Sequence, residues 1–410
     1  MAVAAALVAI AVTLGEVRAE PPGEPFHVYF GTYTRGESTS EGIYRSDFDA
    51  VSGLLGEAEP VAKIVDPSFL TIHPFEPFLY AVDREGDDAG GLCAFAIEPG
   101  GKLKQIGKTA SCGGGPCYVS TDRLGKCALT ANYGTGIVAA LPIHDDGGLG
   151  DAASIYQQRA FRPTDNLVTP TTGNAHAIRV DFRNRFALTT DLKLDQLRVF
   201  WLDPRIAKLT ANEFVGGSYA HTQCLDLKRG SGPRHLAFHS NGKFLYVNAE
   251  TSNEVLAFAW DGDGGKLELL ETLSTLPADY KGEDYTAEIQ IHPSGRFLYV
   301  SNRGHDSIAM FAIDPESGRL KALGHEPTQG KTPRHFGIDP TGRWLLAANM
   351  NSSSVVVFRI DPDSGKLGPT GRSIRMPSPT CVKYAVRASA LLPPGEGGRR
   401  PDVGGSKAAR

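Results

Sequence analysis

GRFLYVSNRGHDS, residues 295–307, is the stretch whose reading decides the fold. A Gly-Arg turn leads into FLYVSN, six residues with the composition of a buried strand. The strand then ends on Arg303, Gly304, His305 and Asp306, a polar and flexible run. The same pattern recurs along the chain. It lies within TAEIQIHPSGRFLYVSNRGHDSIAMFAIDPESGRL from 286, beside TPRHFGIDPTGRWLLAANMNSSSVVVFRIDPDSGKL from 332 and GPRHLAFHSNGKFLYVNAETSNEVLAFAWDGDGGKL from 232. More divergent copies begin at 174, 115 and 66, and a first one at 27 lacks its opening strand. The missing strand is supplied by SPTCVKYAV at 378–386. Each unit reads strand, tight turn, strand, loop, strand, Gly turn, strand over about 45–60 residues, the size of a four-stranded propeller blade. Seven units predict an all-β, seven-bladed propeller of four-stranded antiparallel blades over residues 27–386, its ring closed by the C-terminal strand completing the first blade.

Composition agrees with this. The chain has 410 residues, 41% apolar and 21% charged, with a formal charge of −4, which gives no reason to expect nucleic acid as a partner. Its 47 glycines and 27 prolines fit many turns between short strands. Residues 1–19, with the apolar run AVAAALVAIAVTL at 2–14, read as a signal peptide too short to span a bilayer, with 20–26 as linker. Export to the periplasm or the extracellular space is expected if the leader acts as one, and a cytoplasmic protein otherwise. No later segment is apolar enough to cross a membrane, and residues 387–410 read as a disordered tail. The cysteines Cys93, Cys112, Cys117, Cys127, Cys224 and Cys381 form no CxxC pair and read as small buried hydrophobes. A monomer is expected, with no cofactor and no metal; DGDGG (261–265) and DPDSG (361–365) read as turns rather than calcium loops.

In each unit the first two strands form a hairpin. The start of the first therefore lies beside the end of the second, at the end away from the turn. Counting outward from the turns pairs Arg234 with Ala249 beside Glu250, and His176 with Asp191. It also pairs Thr286 with Arg303, Glu288 nearby, and Arg334 with Asn349. All fall at one mouth of the central channel. Guanidiniums there would grip anionic oxygens, and a carboxylate or imidazole among them could move a proton. The strand-end residues Asn132, Asn248, Asn302 and Asn349 recur and read as structural. The chain has no GxSxG elbow, HExxH pair or phosphate-cradling Gly loop.

GTYT at 31–34, DPSFLTIHP, ANYGTG, GPRHLAFH, AEIQIHPSGRFLYVSNRGHDSI and TPRHFGIDPTGRWLLAAN resemble the seven-bladed lactonase family. This family includes the propeller-type 6-phosphogluconolactonase and the fungal carboxy-cis,cis-muconate lactonizing enzyme. The resemblance implies a metal-independent site at the channel mouth. By motif, the family's histidine falls on His176, its two arginines on Arg234 and Arg303, and its glutamate on Glu250. The sequence departs from the family where a HAH pattern becomes Asn174-Ala175-His176, and where Asp-Leu-Gly becomes Asp191-Leu192-Lys193. The expected activity is water attack on a sugar-type lactone, with an anionic small molecule as substrate. Either Glu250 or His176 would activate the water, while Arg234 and Arg303 hold substrate and oxyanion. Arg334, His235 and Asp191 are expected to bind substrate, and Asp191 to fix the tautomer of His176. Muconate-type cycloisomerisation and a non-catalytic ligand-binding propeller are the alternatives.

Overall fold

The computed structural model describes residues 26–86, 89–160, 171–212 and 224–386; the expected leader, linker and tail lie outside them, save Phe26. Among the described residues seven sheets are the blades that the repeat predicts, and an eighth is a two-stranded ribbon of Arg159–Ala160 with Thr171–Thr172. Blade 6 is typical, with strands Thr286–Ile291, Phe297–Asn302, Ser307–Ile313 and Leu320–Pro327 in that order. Blade 1 is built from both ends of the chain: Phe26–Thr32 lies between Gly42–Asp49 and Pro379–Val386. The closing pair runs from Phe26 opposite Val386 to Gly31 opposite Cys381. In blade 4 the outer edge is shared by two short strands, Lys208–Ala211 and Cys224–Asp226, which pair with opposite ends of Gln196–Asp203.

The opening stretch shows why the second strand of a blade is buried throughout. Leu298 and Val300 pack against Phe244 and Tyr246 of blade 5, while Phe297 and Tyr299 pack against Phe336 and Leu345 of blade 7. Alternate side chains thus face opposite neighbours, and both faces of the sheet are buried.

Polar bonds stitch the same interfaces. Tyr29, Tyr246 and Tyr299 each donate a 2.8 Å hydrogen bond to a Gly carbonyl in the next blade, that of Gly101, Gly318 and Gly365. Those glycines need their positive φ, and a Cβ on Gly318 or Gly365 would run into the ring of Phe244 or Phe297. His73, His239 and His292 donate through Nε2 to the carbonyls of Gly125, Gly295 and Gly342 at 2.7–3.0 Å. Their Nδ1 atoms accept local amides, which fixes the tautomer. The strand-end asparagines also hold neighbouring backbone, as when Asn302 donates to the carbonyl of Thr275 at 2.7 Å. All six cysteines are free.

Because Tyr299 is fully buried, Tyr299→Phe leaves the Gly365 carbonyl unpaired. The variant should lose about 1–2 kcal/mol of stability. A urea midpoint equal to wild type would show that this interblade bond contributes nothing net.

Candidate active site

The first strands of blades 2 to 7 and the C-terminal strand of blade 1 pack side by side around the axis. Six of the seven open with an irregularity, the exception being Leu70–Ile72 of blade 2. Pro233 faces Ala249 but Leu236 faces Val247, and Pro333 faces Asn349 but His335 faces Ala348. Likewise Ala175 faces Asp191 and Ala177 faces Thr190. One extra residue is accommodated at the start of each of these six inner strands. Every pairing obtained by counting is therefore displaced by one: Pro233, Ala175, Asn302 and Pro333 take the places expected for Arg234, His176, Arg303 and Arg334. The residues freed from pairing are the functional candidates themselves, a placement typical of β-bulges near sites.

A second ring comes from the residue after each second strand. Its amide donates to a carbonyl just ahead of the inner strand in all seven blades, as in Glu250 to Gly232 and Arg303 to Tyr285. This holds Tyr33, Arg84, Tyr133, Glu250 and Arg303 on one rim, with Leu192 and Met350 completing it. Tyr133 and Tyr285 stand exposed there, and the Tyr33 ring lies 5.2 Å from the Arg334 guanidinium carbon.

Glu250 is the centre of charge. Its Oε2 lies 2.7 Å from Arg234 Nε and 3.0 Å from Arg303 Nη2. The first contact is an ion pair rather than an aligned hydrogen bond. Arg234 is 2% exposed and also donates from Nη1 to the Ala287 carbonyl of blade 6 at 2.6 Å. Arg303 donates to the carbonyls of Tyr285 and Thr286, both at 3.1 Å. Arg334 is half-buried and forms no ion pair among the described residues. Burial pushes the Glu250 carboxyl up, but Arg234 and Arg303 outweigh it and leave it below its ordinary value. Burial and the Arg334 charge bring Arg234 down to about 10.

His176 is buried at the same mouth, 5.7 Å from the Tyr133 ring and 5.1 Å from the His235 ring, and its Nδ1 has no partner among the described residues. Burial, then the charge of Arg234, holds it well below the usual imidazole range, so it is neutral at pH 7. Asp191 does not fix its tautomer. The bulge moves His176 out of register, and Asp191, fully buried, accepts the amides of Asn174 and Leu194 at 2.9 Å. Asp191 thus braces the loops behind the site. Asn174, at the departure from the HAH pattern, donates to the Tyr133 carbonyl at 2.6 Å.

His235 lies one layer deeper. Its Nδ1 donates to Glu288 Oε2 at 2.6 Å, and its Nε2 accepts from Arg234 Nη1 at 3.2 Å. His335 approaches the same Glu288 oxygen at 3.4 Å, its Nδ1 accepting the Val382 amide. The Phe69 ring stacks on Tyr118 at 4.1 Å and meets both histidines edge-on, so this layer closes the channel. Counting missed the Glu288–histidine floor and the tyrosine rim. The only signal for the rim was that Tyr133, Glu250, Arg303 and Met350 each follow a strand end.

Residues 27–384 match a family model described as a lactonase, 7-bladed β-propeller. A 6-phosphogluconolactonase of Bacillus subtilis is 33% identical over 312 residues, 76% of this chain and 84% of that protein. Another from Serratia proteamaculans is 34% identical over 285 residues, 69% of this chain and 75% of that protein. The structure of a Pseudomonas aeruginosa periplasmic gluconolactonase superposes with a TM-score of 0.79 at 32% identity, covering 88% of this chain and 99% of that one.

Removing Glu250 leaves Arg234 buried without its counter-charge, so Glu250→Ala should cost about 3–5 kcal/mol at pH 7. The carboxyl is depressed in the fold, so its contribution is full above the unfolded value, near 4.5, and is lost as pH falls through the lower folded value. Urea midpoints of wild type and variant should converge in acid. Equal midpoints at pH 7 would mean that Arg234 is compensated elsewhere.

Proposed function

The chain belongs to the seven-bladed β-propeller lactonases, and from that premise we propose that it hydrolyses a sugar-type lactone to its hydroxy acid at the arginine-lined mouth. The observation that carries the reading is Glu250 held between two guanidiniums beside a neutral, unpaired imidazole. It favours His176 over Glu250 as the base. The Glu250 oxygen is already engaged by two arginines, whereas His176 is neutral at pH 7 and its Nδ1 accepts no hydrogen bond among the described residues.

In this mechanism His176 takes a proton from water as the oxygen attacks the lactone carbonyl carbon. Charge develops on the carbonyl oxygen and is met by Arg303, whose orientation Glu250 sets. Collapse breaks the ring C–O bond, and His176 returns the proton to the leaving alkoxide. Arg334, with no carboxylate of its own among the described residues, grips the anionic or hydroxyl-rich part of the substrate, and the tyrosine rim offers flat apolar faces to a sugar ring. Arg234 is the structural member of the pair, tied to blade 6 and to Glu250. Export of the chain is part of the proposal; it rests on the leader-like run at 2–14 and on the likeness to a periplasmic gluconolactonase.

Proton release from 6-phosphogluconolactone and from unphosphorylated gluconolactone, followed side by side at slightly acid pH, tests the reading. Wild type should accelerate at least one of them. Arg303→Ala should lose about a hundredfold in kcat/KM, roughly 3 kcal/mol of transition-state stabilisation. Turnover intact in that variant would remove Arg303 from the chemistry, and acceleration of neither lactone would sink the reading. For His176, the acid limb of the rate profile should lie well below pH 6.5, because the base works only when neutral and its folded value is depressed. A limb at or above 6.5 would assign the base elsewhere.

A further inference from the structure

We propose that the opposite end of the channel is a second binding site, for a small anion with one carboxylate, formed by Arg179, Lys383 and the Tyr118 hydroxyl. Below the closed layer lies a cavity of about 280 Å³ lined by these residues with Glu288, Gln290 and Gly337.

The groups that face it are donors. Arg179 uses Nη1 on the Leu236 carbonyl at 3.1 Å, and its other N–H groups have no partner among the described residues. Lys383 pairs with no carboxylate there; its ammonium lies 4.6 Å from the Phe69 ring centroid. Tyr118 lines the cavity, and its hydroxyl bonds to nothing among the described residues. Burial moves its deprotonation to higher pH, so it stays a donor.

Charge selects the ligand. Glu288 is the carboxylate on this wall, and both its oxygens are taken, Oε2 by His235 and Oε1 by Gln290 at 3.1 Å. Two cations against one engaged carboxylate leave one positive charge uncompensated in a partly desolvated cavity, which a monoanion balances. A carboxylate matches the planar guanidinium through paired hydrogen bonds.

The proposal does not depend on the lactone reading, and its test does not use turnover. Trifluoroacetate, an unreactive monoanionic carboxylate, is titrated against the full chain and followed by ¹⁹F NMR at constant ionic strength. Wild type should give a saturable shift. The double substitution Arg179→Gln/Lys383→Met should weaken it about tenfold or more, and Tyr118→Phe by a smaller factor. Arg334→Gln, at the other mouth, should leave it in place. Melting followed by circular dichroism checks the fold, and Lys383→Met alone, half exposed, serves if the double variant melts early. A shift unchanged in the Lys383 variants, absent from wild type, or abolished by Arg334→Gln would overturn the proposal.

Discussion

Seven sheets around one axis leave their innermost strands with a single place to put every second side chain, the axis itself. The rest of the molecule follows from that constraint. Strands further out are sandwiched between neighbouring blades and can be apolar on both faces, as Phe297 to Asn302 are. The inner strands cannot, because seven large apolar groups at one level would not pack without voids or clashes. The axis is filled instead by mixed layers, and the polar members of those layers make the site.

Those layers differ in electrostatic character. At the mouth, one carboxylate is shared by two guanidiniums, and a third guanidinium stands without one. The histidines beneath are kept neutral by burial and by the same cations. The arrangement concentrates positive charge at the mouth and leaves a neutral imidazole beside it. Glu288 anchors the floor in the middle, taking hydrogen bonds from His235 and Gln290 on its two oxygens, so that the polar chain from Glu250 to Gln290 spans the channel.

Much of this was legible in the residues. The repeat around GRFLYVSN gave blade count, strand order and terminal closure, because periodicity and turn chemistry are local signals. The residues after each strand end pointed to one mouth for the same reason. Register was not legible. Pro-Arg-His reads as uninterrupted strand, and only the pairing shows the bulge that releases Arg234 and Arg334 from it. The expected His176–Asp191 contact failed on that one residue. The closed layer was hidden more deeply, because Glu288, His235 and His335 belong to three blades and meet only across the axis.

The terminal strands carry a consequence of their own. Phe26–Thr32 finds its inner partner only in Pro379–Val386, so the ring has no closed form until Val386 has been synthesised. A nascent or truncated chain exposes the inner edge of a strand that is buried throughout in the finished ring, a ready template for pairing with another copy. For such a chain the hazard lies in the interval between making the first blade and finishing it. A chaperone that covers Phe26–Thr32 during that interval would govern its yield more than any change in the stability of the finished ring.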